Sequence, residues 1–174
     1  MRRAVVALFC SVAATAGVHG GTDDARTATH LRADSAELRG IVAEARERSD
    51  TFRELEDHLE RSDVIVYVHS VHFATTRLDG RIGFVRGRGD TPGARMLLVE
   101  LACPRTTAAL LATLAHELRH AIEIADAPWI RSTTALATYY RQIGEEAPPL
   151  GEGIAFETIA ARDTAARVAR ELAR

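Results

Sequence analysis

The chain lacks lysine and has no excess of basic charge. Its 174 residues include 22 basic and 24 acidic residues, which gives a formal net charge of −2, and every basic residue is an arginine. A nucleic-acid-binding protein normally presents a basic face, so this balance argues against that function. We attribute the missing lysine to composition bias rather than to chemistry.

Long apolar runs and internal repeats are also absent. A membrane-spanning helix needs about 20 consecutive apolar residues, and no run of that length occurs. The hydrophobic share of 47% and the charged share of 26% are those of an ordinary soluble globular protein. The length is enough for one domain with a real core.

The N-terminus has the pattern of a secretory signal peptide. Two arginines precede an apolar run from Ala4 to about Val18, which small residues then interrupt. Both Ala14-Thr15-Ala16 and Val18-His19-Gly20 fit the small-x-small rule for cleavage. We therefore expect residues 1–20 to be removed on export to the periplasm or the extracellular space. No membrane span would remain after this cleavage.

Cysteine is scarce, with two in the whole chain. Cys10 lies inside the predicted signal peptide, so the mature protein would keep Cys103 alone and could form no internal disulfide. Cys103 follows an apolar run, which is typical of a small buried residue at a strand end. The stability of an exported form would then rest on its apolar core, with a bound metal as a further contribution.

The periodicity of the remaining residues predicts an α+β fold. Residues 21–34 are polar and aperiodic, so we expect a linker there and a single domain over 35–174. The domain would contain N-terminal helices, a small three-stranded sheet, a long helix and two further helices. The expected helices lie at 35–60, with a break near Ser49, and at 106–125, 132–143 and 155–173; the expected strands lie at 63–73, 82–85 and 95–101. Strands grouped before helices favour α+β over a βαβ parallel sheet.

The long helix carries two histidines, His116 and His120, with Glu117 directly after the first. Residues four apart lie on one helix face, so both imidazoles could point at one ion, and zinc accepts imidazole nitrogen. Glu117 could reach a water beside that ion without ligating it. The alternative is a solvent-facing polar stripe that also includes Arg119 and Glu123. The apolar sequence before the motif favours a buried helix, in which unpaired polar groups are costly.

The segment His116-Glu117-Leu118-Arg119-His120 resembles the H-E-x-x-H motif of the zincin metallopeptidases. The resemblance is at the level of the motif and covers roughly residues 62–165. The chain is similar to small, uncharacterised secreted bacterial proteins with a minimal zincin core. The strand before the motif matches the substrate-side edge strand of that fold.

Zincins differ in their third metal ligand, and this chain offers three alternatives. The gluzincin pattern takes a Glu from a later helix, which favours Glu157 in the first turn of the last expected helix. The metzincin pattern would use Asp126, but it needs a glycine turn where Glu123 stands, so we expect Asp126 to point away. Glu152, between two glycines, is the third alternative.

One departure from the gluzincin pattern lies downstream of Glu157. Gluzincins often place an Asp four residues after the ligand to orient the first histidine, and that position is Ala161 here. Either another group orients His116 or the site is atypical.

The resemblance implies one Zn²⁺ per chain, held by His116, His120 and Glu157, in a secreted metallopeptidase. A peptide or protein substrate would be hydrolysed by metal-activated water with Glu117 as general base. The oxyanion formed in the reaction needs a further donor. Tyr140 is the favoured candidate for that role, beside Tyr139 and His72.

Two other functions remain open at this point. A zincin scaffold could bind metal without turnover and act as a binding or envelope-associated protein. Glu117 favours the enzyme, because a structural zinc site needs no general base, whereas the lack of a second subdomain suits the binding protein. The motif could also be fortuitous in a plain mixed domain. Neither the substrate nor the oligomeric state follows from the sequence.

Overall fold

The α+β fold is confirmed by the structure, a computed structural model that describes residues 6–8, 29–74, 78–85, 93–103, 106–147 and 154–174. The described residues form five helices and seven strands. The helices are α1 (Ala36–Arg48), α2 (Asp50–Glu60), α3 (Thr107–Ala125), α4 (Thr133–Ile143) and α5 (Ile159–Leu172). The strands are β1 (Val6–Leu8), β2 (Leu31–Ala33), β3 (Val64–Val71), β4 (Gly80–Phe84), β5 (Arg95–Ala102), β6 (Glu145–Ala147) and β7 (Ile154–Glu157).

Ser49 breaks the N-terminal helical region into α1 and α2, as its position in the sequence predicts. The residue is extended, with φ −130° and ψ 113°, and its side chain accepts a hydrogen bond from the Phe52 backbone amide. Its own backbone amide donates to the Ala45 carbonyl. One serine therefore satisfies groups at the end of one helix and at the start of the next.

The main sheet has four strands in the order β2-β3-β5-β4, where three were expected. The additional strand, β2, lies within the predicted linker and pairs parallel with β3, so α1 and α2 form a crossover between parallel strands. Three residues are too few to show a strand period in the sequence. Since β3 and β5 are also parallel, the sheet is mostly parallel, contrary to the expectation from the grouping of its elements.

The strand before the motif, β5, is an inner strand, so its expected edge position was wrong. It lies between β3 and β4, and β4 pairs with it in antiparallel orientation at the sheet edge. Alternate β5 side chains such as Leu97, Val99 and Leu101 are buried against α3 and its neighbours. The alternate positions of β5 are only partly buried, so the strand is central in the sheet order but fully covered on one face alone.

A second, antiparallel sheet has the order β1-β7-β6. Its strands come from segments that were expected to be signal peptide, loop and the start of the last helix. In particular, α5 begins at Ile159 and not at 155, because Ile154–Glu157 is extended and Thr158 is the N-cap whose side chain accepts from the Ala161 amide. The sequence does not mark where α5 begins, because the segment is rich in alanine and arginine.

In the part of the chain that the structure describes, no helix has both the length and the apolar character needed to cross a membrane.

Candidate metal centre

The motif helix α3 is enclosed on nearly every side, so the alternative of a solvent-facing stripe is wrong. Glu117 and His120 are fully buried, and Glu123 is 6% exposed. The helix packs against α5, α2 and the main sheet, and its apolar residues belong to the principal core. Burial on this scale is unfavourable for polar groups unless they find partners.

His116, His120 and Glu157 lie together in a buried cluster that could hold a metal ion. The His116 Nε2 atom is 3.2 Å from His120 Nε2 and 3.3 Å from Glu157 Oε1. The distance from His120 Nε2 to Glu157 Oε1 is 3.9 Å. These residues come from the middle of α3 and from the end of β7, so the tertiary fold brings the three potential ligands together.

The spacing of the three atoms fits a tetrahedral metal site, and their types are ones that zinc accepts. Ligand atoms at about 2.0–2.1 Å from zinc in tetrahedral geometry lie about 3.3 Å from one another, close to two of the three separations within the cluster. Burial, with the nearby His120 and Arg162 as further causes, lowers the pKa of His116 to about 2. His116 is therefore neutral at physiological pH, which is the form that ligates metals.

Glu157 occupies the last position of β7 and not the first turn of a helix. Its Oε1 atom accepts a hydrogen bond from the Thr158 backbone amide at 2.9 Å, which orients the carboxylate at the junction of β7 and α5. The side chain is 11% exposed. The residue predicted as third ligand is thus in place, on a different element from the one expected.

The other two candidates for the third ligand have different outcomes. Asp126 is the C-cap of α3, and its carboxylate is 54% exposed and pairs with His58 at 2.8 Å, outside the cluster. Glu152 lies outside the described residues.

Glu117 is the one fully buried side chain among the described residues whose two carboxylate oxygens both lack a hydrogen-bond partner. Burial, and then the charge of Glu157, raise the pKa of Glu117 well above its ordinary value of 4.5. A buried, unpartnered carboxyl group is unfavourable for folding alone and is the kind of group found at functional sites.

Glu117 makes the stability of the metal-free protein depend on pH. The pKa of Glu117 is higher in the folded protein than in the unfolded chain. Its contribution to stability is therefore fully present below about pH 4.5 and is lost as the pH rises toward the folded-state pKa. Relative to Glu117→Gln, the wild-type protein should lose up to about 1.4 kcal/mol for each pH unit in this range. Urea unfolding of both metal-free proteins between about pH 5 and pH 7 measures this difference. Glu146→Gln, at an exposed position, is the control, and parallel curves for wild type and Glu117→Gln would contradict the prediction.

Gly80, the first residue of β4, leaves room for Glu117. A Cβ atom at this position would lie 2.6 Å from Thr113 Cγ2 and 2.9 Å from Glu117 Oε1. The sheet edge and α3 therefore approach each other closely at the general-base candidate, and only glycine permits this approach.

We expect Gly80→Ala to destabilise the protein by about 1–3 kcal/mol, because an overpacked core must shift. The displaced Glu117 should also lower any hydrolytic activity. Gly40→Ala is the matched control, because Gly40 is helical with open space around its Cβ position, and alanine there should stabilise by about 0.5–1 kcal/mol. Thermal unfolding and turnover of both variants test this, and equal effects would contradict it.

Glu123 contacts both His120 and the residue that follows Glu157. The sequence did not lead us to predict that Glu123 lies at the site. Its Oε2 atom lies 2.8 Å from His120 Nδ1 and accepts from the Tyr140 hydroxyl at 3.0 Å. Its Oε1 atom accepts from the Thr158 hydroxyl at 2.8 Å. Burial raises the pKa of Glu123, but hydrogen bonds from His120, Thr158 and Tyr140 outweigh it and lower the pKa below its ordinary value. The signal was available, since a Glu three residues after a histidine shares its helix face.

Tyr140 lies behind His120, beside Nδ1 and not beside the Nε2 atom that faces the cluster. It is fully buried and stacks on Phe156. Burial and the Glu123 charge raise its pKa well above 10, so its hydroxyl remains a donor to Glu123. The oxyanion role stays a prediction, and these contacts favour an orienting role instead.

The other two oxyanion candidates are less enclosed. Tyr139 is half-buried and meets Trp129 edge to face. His72 directly follows β3 at an exposed position.

Comparison with protein families, with curated proteins and with solved structures finds no match to this chain.

Proposed function

We propose that this protein is an exported zinc-dependent peptidase of gluzincin type. One Zn²⁺ per chain would be held by His116, His120 and Glu157, with Glu117 as general base. The observation that carries this proposal is the buried cluster of three ligand atoms within 4.8 Å of one another. The unpartnered carboxyl group of Glu117 on the same helix supports it.

A catalytic site is favoured over a structural one by the number of protein ligands. Structural zinc sites are closed by four protein ligands, whereas catalytic sites have three and keep one position open. Among the described residues the cluster supplies three. In a structural site, the buried Glu117 would destabilise the fold and would have no catalytic role.

The residues of the chain divide the chemistry between them. Bound zinc would supply Lewis-acid chemistry and lower the pKa of water toward ~7. Glu117 would take a proton from the attacking water and deliver it to the leaving amine. Burial raises the pKa of Glu117 in the metal-free protein, and the positive charge of a bound metal would favour the ionised form that can accept a proton.

The surroundings of Glu117 support an extended peptide as substrate. Strand β4, which begins at Gly80 against Glu117, lies at the edge of the main sheet. Sheet edges bind extended peptides through main-chain hydrogen bonds. One extended segment of this chain, β1, pairs with β7 and packs near β4. Since β1 belongs to the predicted signal peptide, its removal on export would open this position to a substrate.

The proposal is tested first by the metal content of the mature protein from about residue 21 onward. We expect one zinc per chain by mass spectrometry and a lower melting temperature after chelation. A protein that takes up no zinc during purification or refolding would overturn the proposal. A zinc-loaded protein that cleaves no member of a peptide library would instead indicate the non-catalytic binding protein.

A further inference from the structure

The carboxylate of Glu123, which is not one of the three potential metal ligands, contacts both segments that supply them. Glu123 lies one turn beyond His120 on α3, is 6% exposed, and contacts His120 Nδ1 at 2.8 Å. A carboxylate has no proton to donate in its ionised form, so this contact places the ring proton on Nδ1 and leaves the Nε2 lone pair facing His116 and Glu157.

The second oxygen of Glu123 reaches the other segment. It accepts the hydroxyl hydrogen of Thr158, the residue directly after Glu157. The Thr158 backbone amide in turn donates to Glu157 Oε1. Hydrogen bonds through the Glu123 carboxylate therefore join His120 on α3 to Glu157 at the end of β7.

Tyr140 holds this carboxylate from a third side. Its hydroxyl donates to Glu123 Oε2 at 3.0 Å, and its ring meets the His120 ring edge to face. Arg119, 35% exposed, lies 3.8 Å from Glu123 Oε1, and the shorter contacts of Glu123 are those to His120, Tyr140 and Thr158. These contacts exist without a bound metal. Such preassembly raises metal affinity, because carboxylate–histidine contacts fix the ring orientation and the tautomer of a ligand.

We propose that Glu123 is a positioning residue of the metal site, an inference that rests on the proposed zinc-binding function. It holds His120 with its proton on Nδ1 and its Nε2 atom directed at the metal position. Through Thr158 it also fixes α3 relative to the end of β7. It acts on the second histidine, so the group that would orient His116 in place of an Asp at position 161 stays unassigned.

The first test is the tautomer of His120 in the metal-free protein, read from the nitrogen shifts of the ring by NMR. Wild type should carry the proton on Nδ1. Glu123→Gln keeps an acceptor oxygen and should keep this tautomer, whereas Glu123→Met has a similar length without an acceptor and should lose the preference. A wild-type His120 ring protonated on Nε2 would overturn the proposal. Because this measurement uses the wild-type protein, it does not depend on whether the variants fold.

The second test is zinc affinity by competition with a chelator. Glu123→Met should bind zinc about 10–100-fold more weakly than wild type, and Glu123→Gln should lose less. Glu56→Met is the control, because Glu56 is also buried and paired, with Arg46, but lies on α2 outside the cluster. Equal affinities of wild type and Glu123→Met would refute the positioning role. A wild type that binds no zinc would refute the proposed function instead, while the tautomer would still be measurable.

Discussion

Glu117→Gln is expected to reduce peptide hydrolysis by about 10²–10⁴-fold while zinc content stays at one per chain. The amide cannot accept a proton from water, so the general-base step is lost. The substitution keeps the size of the side chain, and Glu117 makes no hydrogen bond to the residues that the structure describes. The cluster of His116, His120 and Glu157 should therefore remain intact.

The measurement combines kcat/KM on a cleaved peptide with zinc content and melting temperature of the same preparation. A fall in kcat with KM unchanged would locate the loss in the chemical step. Glu146→Gln, at an exposed position of β6, should match the wild type. Unchanged turnover in a zinc-loaded Glu117→Gln protein would show that Glu117 is not the base.

Arg95→Met is expected to destabilise the protein by about 3–5 kcal/mol, because it removes a buried charge together with its hydrogen bonds to Asp63 and to three backbone carbonyls. The Arg95 side chain is 2% exposed and pairs with Asp63. Its Nη1 atom donates to the carbonyls of Ile124 and Ala127 at 2.6 and 3.0 Å, and its Nη2 atom donates to the Ala125 carbonyl at 3.0 Å. One guanidinium thus donates to carbonyls in the last turn of α3 and just beyond it, where few intrahelical donors remain. The Ile124 and Ala127 carbonyls also accept from backbone amides, so the Ala125 carbonyl depends most on Arg95.

Urea unfolding of the metal-free proteins measures this effect separately from any metal contribution. Arg131→Met is the matched control, because Arg131 contacts the same Asp63 at 3.3 Å but is 56% exposed. An exposed ion pair contributes about 0–1 kcal/mol, so the control should lose little. Losses of similar size in both variants would contradict the role of Arg95 at the end of α3.

Some features of the site could be read from the sequence because they depend on local geometry alone. The spacing of His116 and His120 places both on one helix face whatever the helix packs against. The break between α1 and α2 was predicted at Ser49-Asp50-Thr51, with Thr51 and Glu54 as a capping box, whereas the N-cap of α2 is Ser49. Glu157 was proposed as a ligand only from the resemblance to the gluzincin pattern.

Other features were missed because their signals are short or non-local. Strand β2 has three residues and gains its stability from pairing with β3, so nothing in its own sequence marks it. Strand β7 looked like the start of α5, because the extended backbone there is set by pairing with its neighbours. Arg95 looked like an ordinary strand residue, and its carbonyl partners lie about 30 positions away.

The sequence by itself determined the elements with strong local periodicity, namely the helices and the two long strands, and the pair of histidines on α3. Tertiary structure alone decided the strand order, the edge position of β4, the closeness of Gly80 to Glu117, and the link from His120 through Glu123 to Thr158. The physical reason is that helical spacing is fixed by the backbone over a few residues. Contacts between distant segments depend instead on which faces the folded chain brings together.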